Sequence, residues 1–162
     1  MTTVRNLPMT VDDDDVRALG QQVCFALYAA SRAMVAVYRP MLDRLGLTYP
    51  QYLVMTVLWE RHAATVSEVA TALRLTTGTL SPLLKRLEIA GLITRTRLAA
   101  DERTVEIRPT TPGRDLQIAA RELGAGVTAS LVGGADGVPV GDLVALCRLL
   151  ERMTAEADRA AG

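Results

Sequence analysis

The sequence predicts a mainly α-helical fold with a small β-wing: a winged helix-turn-helix set between N- and C-terminal helices that form a dimerisation layer. Three observations predict it. Two amphipathic helical patterns, TVSEVATALRL and TTGTLSPLLKRLEIAG, meet at the short turn Arg74-Leu75-Thr76. Two alternating, arginine-bearing strand patterns follow at once. Apolar-striped helical patterns then stand at both ends of the chain. The expected division is a mobile segment over 1–15, the winged helix-turn-helix over 48–110, and a helical dimerisation layer over 16–47 and 111–162.

Taken in order, the first helix starts near Asp15, where acidic side chains suit the positive end of a helix. Val16, Leu19, Val23, Ala26, Ala30, Ala33 and Val37 recur at heptad spacing, with Leu27 and Met34 widening the stripe. That stripe is more apolar than a solvated helix needs and points to a partner chain. Pro40 should kink or break the helix, and Gly46 ends it. Thr48-Tyr49-Pro50-Gln51 is a capping box with proline in the first turn, opening a helix through Trp59 with Leu53, Val54, Val57 and Leu58 inward.

Thr65 and Glu68 form a second capping box. Val66, Val69, Ala70 and Leu73 give one helix face, and Leu80, Leu83, Leu84 and Leu87 the next, with Gly91 as the stop. Leu92 to Arg97 and Val105 to Ile107 read as two strands joined by a turn over Ala99-Ala100-Asp101-Glu102. Thr111-Pro112 caps a helix to about Ala129. A glycine-rich link over 133–137 leads to a last helix near Pro139, with Leu143, Leu146, Cys147 and Leu150 at i, i+3, i+4 and i+7.

The second helix of the pair divides its labour. Thr77, Thr79 and Ser81 place short hydroxyls in its first turn, and Lys85 and Arg86 lie further along. Hydroxyls and N–H groups at a helix N-terminus suit phosphate oxygens or base edges; cations suit the phosphate backbone. A two-stranded ribbon carrying Arg95, with Arg103 near its tip, suits a minor groove. Capping, turn, hydroxyl cluster and basic ribbon in this order point to a DNA reader, and a dimer would place two such helices about one DNA turn apart.

Composition sets bounds. Apolar residues make up 49% of the 162, enough for a core, and the formal net charge is zero. The chain is therefore not a general polyanion binder, although cations crowd its centre. Neither a secretory leader nor a membrane span is present in the pattern, and two distant cysteines make no disulfide framework, so the expected location is cytoplasmic. A single histidine, His62, with distant cysteines makes no zinc site, and no metal or cofactor is expected.

All six aromatic residues lie between Phe25 and Trp59, and Cys24 heads the group with Tyr28 four residues on. A phenol that donates to a thiolate lowers the thiol's pKa, and the thiolate is the form that peroxide oxidises. The alternative reading of Cys24 is a small buried hydrophobe.

The phrases QQVCFALYAASRAM, YRPMLDRLGLTYPQYLVMTVLWE, TGTLSPLLKRLEIAGLITRTR and DERTVEIRPTTPGR resemble the MarR family, and within it the organic-hydroperoxide-sensing repressors, over about residues 19–118. The resemblance implies a homodimeric repressor, not an enzyme, whose reduced form binds a near-palindromic double-stranded operator. It implies Cys24 as the oxidised cysteine, Tyr28 beside it, and Tyr38 and Tyr49 reaching it from the other subunit. Thr77, Thr79 and Ser81 then fall on the reading helix, Lys85 and Arg86 beside it, and Asp101 and Arg103 form the wing pair. Some members carry a second cysteine just after the wing helix; here that place reads Thr128-Ala129-Ser130, and Cys147 lies later, read as buried packing rather than a resolving thiol. An organic hydroperoxide is then the oxidant and a small cellular thiol the partner of oxidised Cys24.

Three rivals remain at this stage. A MarR regulator released by a phenolic or apolar ligand would use Cys24 only as a pocket wall. A thiol peroxidase would turn over hydroperoxide. A pure protein-interaction module would protect no operator.

Overall fold

A computed structural model describes the backbone of residues 13–98, 101–132 and 137–161, and their side chains except at 13–17, 101–103, 128, 130, 131 and 161. Residues 1–12 of the leading segment, Ala99 and Ala100 of the expected turn, and 133–136 of the glycine-rich link lie outside the described residues. The elements are α1 (Asp13–Leu45), α2 (Tyr49–Arg61), β1 (Ala64–Thr65), α3 (Val66–Leu73), α4 (Thr77–Ile89), β2 (Ile93–Leu98), β3 (Asp101–Pro109), α5 (Thr111–Val132) and α6 (Val140–Ala161). The chain divides into two units, 1–39 and 40–162.

Pro40 does not break α1, one of the two outcomes expected of it: the helix runs on to Leu45. Proline lacks the N–H that would serve the carbonyl four residues back, at a cost of about 3 kcal/mol. The turn beyond it buries Met41, Leu42 and Leu45. Burying one such side chain contributes about 1.5–3 kcal/mol, so three outweigh one proline. Gly46 then stops the helix, and the Leu47 N–H returns to the Leu42 carbonyl at 3.0 Å.

α2 is the centre of the second unit, packing on α3, α4, α5 and β3. Its N-terminus is capped as expected, with Gln51 Oε1 accepting from the Thr48 N–H at 2.8 Å and from its hydroxyl at 2.9 Å. Its buried face is not the one expected. Val54 and Leu58 are fully buried, but so are Met55 and nearly Trp59, while Leu53 and Val57 are only half-buried. A helix touched by four elements buries more than one stripe, and the extra neighbours rotate the face toward Met55 and Trp59.

The capping box of α3 is present: Glu68 Oε2 accepts from the Thr65 N–H at 2.6 Å, and Thr65 Oγ1 accepts from the Glu68 N–H at 3.2 Å. Thr65 also belongs to β1, a two-residue strand that the sequence reading missed. Ala64 and Thr65 pair with Ile107 and Glu106, so the wing is a three-stranded antiparallel sheet in the order β1-β3-β2 rather than a two-stranded ribbon. Two residues are too few to show a period of two.

On α4, Leu80, Leu84 and Leu87 are fully buried and Leu83 half-buried. Gly91 closes the helix at φ +71°, a conformation that any Cβ would strain, and the Leu92 N–H bonds back to Leu87 O at 3.0 Å. β2 and β3 pair from Ile93–Pro109 to Arg97–Val105, with Ile93 and Ile107 in the core. The register slips between Arg97 and Leu98, so that Leu98 faces Asp101. Asp101 and Glu102 are therefore strand, not turn.

Thr110, not Thr111, holds the start of α5. Its Oγ1 accepts from the Gly113 N–H at 3.1 Å and donates to Gly91 O at 2.6 Å. One hydroxyl thus joins the end of α4 to the start of α5. α5 continues past Ala129 to Val132. Among the described residues, no helix is long and apolar enough to cross a membrane.

Candidate nucleic-acid interface and thiol site

The three buried leucines of α4 fix which of its faces is solvated. Thr77, Thr79, Ser81, Lys85 and Arg86 are all exposed on it. The N-cap is Thr76, which the sequence reading assigned to the turn. Its Oγ1 accepts from the Thr79 N–H at 3.2 Å and lies 3.0 Å from Thr79 Oγ1. The Ser81 hydroxyl donates to Thr77 O at 2.7 Å, which leaves its oxygen free to accept. The hydroxyl cluster is therefore pre-oriented by its own backbone rather than freely rotating. Pro82, one residue on, removes an N–H from the helix interior and leaves the Gly78 carbonyl without its usual partner.

On the wing, Arg95 is exposed and has a neighbour on α4. Its guanidinium turns toward Glu88 on α4, 3.7 Å away, because β2 packs against that helix. Arg97 is exposed, and Arg108 pairs with Glu106 at 2.6 Å. The side chains of Asp101 and Arg103 lie outside the described residues.

The expected thiol site falls on both units, and each part stands by itself. On α1, Cys24 is exposed in the single chain. Phe25 and Tyr28 beside it are 73% and 61% exposed. The Tyr28 hydroxyl accepts from Arg32 Nη1 at 3.2 Å, and the same guanidinium lies over the Tyr28 ring, 5.8 Å from its centroid. Cys24, Tyr28 and Arg32 thus form a ladder of three residues, spaced four apart along one face, and Arg32 is a member that sequence reasoning missed. Its signal was the repeated spacing of four. Tyr38 lies fourteen residues beyond Cys24 on the same helix. At 1.5 Å per residue that is about 21 Å, far past hydrogen-bond reach within one helix. Tyr49 opens α2 in the second unit and packs at 6.4 Å, centroid to centroid, against Tyr52.

In the single chain Cys147 is exposed on α6. Its stripe has Leu143 and Leu150 half-buried, but Val144, Leu146 and Leu149 are exposed at 45%, 47% and 49%. The period of the stripe is as expected, and nothing within a single chain covers it. Among the described residues no group of cysteine, histidine and carboxylates could hold a metal ion.

Tyr52, Thr56, Trp59, Gln117 and Arg121 line a hollow of about 190 Å³ between α2 and α5. Small-molecule sites are commonly about 300–1,000 Å³. It is a small hollow, and Cys24 is not among the residues that line it.

A family model described as transcriptional regulator SarA/Rot matches residues 36–117. The organic hydroperoxide resistance transcriptional regulator of Bacillus subtilis (strain 168) is 50% identical over 99 residues, 61% of this chain and 67% of that one. The HTH-type transcriptional regulator TtmR of Methylorubrum extorquens (strain PA1) is 50% identical over 104 residues, 64% of this chain. The match spans only 53% of TtmR's length. Among solved structures, AbfR of Staphylococcus epidermidis superposes with a TM-score of 0.76 at 32% identity, over 90% of this chain and 97% of that one. AbfR has also been solved bound to DNA in reduced and overoxidised forms.

Proposed function

Because the chain belongs to the MarR/SarA-type family of winged-helix transcriptional regulators, we propose that it is a homodimeric repressor whose hold on DNA is released by oxidation of Cys24. The reduced dimer binds a near-palindromic operator in double-stranded DNA. The first turn of α4 enters the major groove, Lys85 and Arg86 meet phosphates, and the wing with Arg95, Asp101 and Arg103 reaches the minor groove.

The observation that carries the redox half is the exposed sulfur of Cys24 on a ladder with Tyr28 and Arg32. The thiolate attacks one oxygen of an organic hydroperoxide, ROOH. The O–O bond breaks, an S–O bond forms, and the alkoxide leaves and takes a proton to become the alcohol. Sulfur loses two electrons, giving the sulfenic acid, and the hydroperoxide gains them. A small cellular thiol then condenses with the sulfenic acid, forming a mixed disulfide and water.

The distance along α1 supports a dimer. Tyr38 lies too far along α1 to reach Cys24 of its own chain, so its place in the site is against the Cys24 of a second copy; the resemblance assigns Tyr49 to the partner's site as well. The exposed apolar residues of α1 and α6, Leu19, Phe25, Leu146 and Leu149 among them, suit burial between two copies. Overlap of the sensing thiol with that layer is what lets oxidation move one reading helix relative to the other.

The test is nuclease protection of the region upstream of the chain's own gene. Reduced protein should protect a two-fold symmetric stretch, stoichiometric organic hydroperoxide with a small thiol should abolish protection, and Cys24→Ser should keep it. Release of Cys24→Ser by hydroperoxide would remove the redox half; absence of protection by reduced wild type would remove the whole reading.

A further inference from the structure

Arg74 closes α3 in the left-handed conformation, at φ 53° and ψ 40°. Its N–H bonds back to Thr71 O at 3.2 Å, and the next N–H, of Leu75, to Ala70 O at 2.9 Å. Glycine is the residue that fits such a cap without strain; a side chain there is strained. The place is not arbitrary. Arg74 sits two residues before Thr76, the N-cap of α4. Its guanidinium reaches α6, where Nη1 meets both carboxylate oxygens of Asp158, at 2.8 and 2.6 Å. Both side chains are more than half exposed.

We infer that Arg74 and Asp158 are positioning residues for the reading helix: their ion pair fastens α6 to the turn that sets the N-terminus of α4. This rests on the reading of α4 as the DNA-reading helix. The strained arginine at the cap is explained by what its side chain does. A glycine would relax the backbone and lose the tie. α6 carries the exposed apolar stripe assigned to the dimer, so the tie joins the layer where the two copies meet to the turn that aims α4. Being exposed, it is weak and breakable, worth a few tenths to about 1 kcal/mol, or up to about fivefold in an equilibrium. A latch of that strength can be released by a small shift of the dimer layer.

The experiment uses full-length reduced protein in three variants, Asp158→Asn, Arg74→Gly, and the charge swap Arg74→Asp with Asp158→Arg. Amide exchange at Thr79 and Leu80, the first-turn amides held by Thr76, is read without DNA. Affinity for the duplex from upstream of the gene is read alongside. Asp158→Asn should speed exchange and weaken binding by about two- to fivefold, with both effects shrinking at high salt. Arg74→Gly should do the same while melting no lower than wild type. The swap should recover at least half of each loss. Tighter binding by Asp158→Asn would overturn the inference, because Asp158 would then be masking a DNA-facing cation. Unchanged exchange in Asp158→Asn, or a swap no better than its single variants, would also overturn it. Wild type that fails to bind the duplex while exchange responds as expected would sink the DNA reading and leave the latch standing.

Discussion

The Arg32 guanidinium donates to the Tyr28 hydroxyl at 3.2 Å, one helical turn away, and covers the same ring at 5.8 Å. The phenol's oxygen therefore accepts from a cation, which makes its own proton the better donor. Arg32→Gln should slow the loss of free Cys24 thiol on exposure to an organic hydroperoxide by up to about fivefold, the ceiling for an exposed contact of this kind. The same change made in a Tyr28→Phe background should have no further effect. Stopped-flow thiol titration reads both, and an equal loss in both backgrounds would show that Arg32 acts elsewhere.

The buried link between α2 and α5 should dominate stability. Trp59 Nε1 donates to Gly113 O at 2.7 Å, and Trp59 is 7% exposed. Trp59→Phe leaves that carbonyl buried without its donor, at a cost of about 1–3 kcal/mol. Gly113→Ala should be worse, by about 3 kcal/mol or more, since its Cβ would stand 2.0 Å from the Leu92 carbonyl oxygen. Urea unfolding checks both, with the midpoint falling at unchanged slope.

Acid sensitivity should have a local component in the α3 cap. Glu68 accepts from the Thr65 N–H and hydroxyl, and these bonds hold its carboxyl below the ordinary value, with Arg61 adding a smaller pull. A carboxyl depressed in the folded state contributes stability that is complete above its unfolded value, about 4.3. That contribution is lost as pH falls through the lower folded value. Glu68→Gln should flatten this part of the stability-pH curve and leave neutral-to-alkaline behaviour parallel to wild type. A curve unchanged in shape below pH ~4.3 would refute the assignment.

Much of this architecture was legible because it is written in short-range signals. The capping pairs Thr48–Gln51 and Thr65–Glu68 and the glycine stops at Gly46 and Gly91 are local chemistry, and the leucine face of α4 is a clean period. What failed was tertiary. Pro40 stays inside α1 because Met41, Leu42 and Leu45 are buried beyond it. β1 exists because β3 had an edge to pair. Thr110 displaced Thr111 as the cap because Gly91 offered it a carbonyl. The contact of Arg95 with Glu88 was not legible either, because no spacing rule connects the two. Cys24, Tyr28 and Arg32 share one helix and could be read from a spacing of four. Tyr38 and Tyr49 were assigned to the site only by resemblance, since no spacing within one helix connects them to Cys24.

Cys147 should not be needed for release. In the proposed mechanism a small thiol closes the reaction at Cys24, so no second cysteine of the chain is required. Cys147→Ser should leave hydroperoxide-induced dissociation within about twofold of wild type, well under one kcal/mol. Retention of that variant on DNA after hydroperoxide and thiol would make Cys147 the resolving partner.

The central claim is that one sulfur controls the grip of the dimer on DNA. Its most direct measurement is titration of a preformed protein–DNA complex with organic hydroperoxide in the presence of a small thiol, with intact-protein mass followed in parallel. The account predicts dissociation in step with a mixed disulfide on Cys24 and none for Cys24→Ser. Dissociation of wild type with Cys24 unmodified, or an oxidised complex that stays bound, would contradict it.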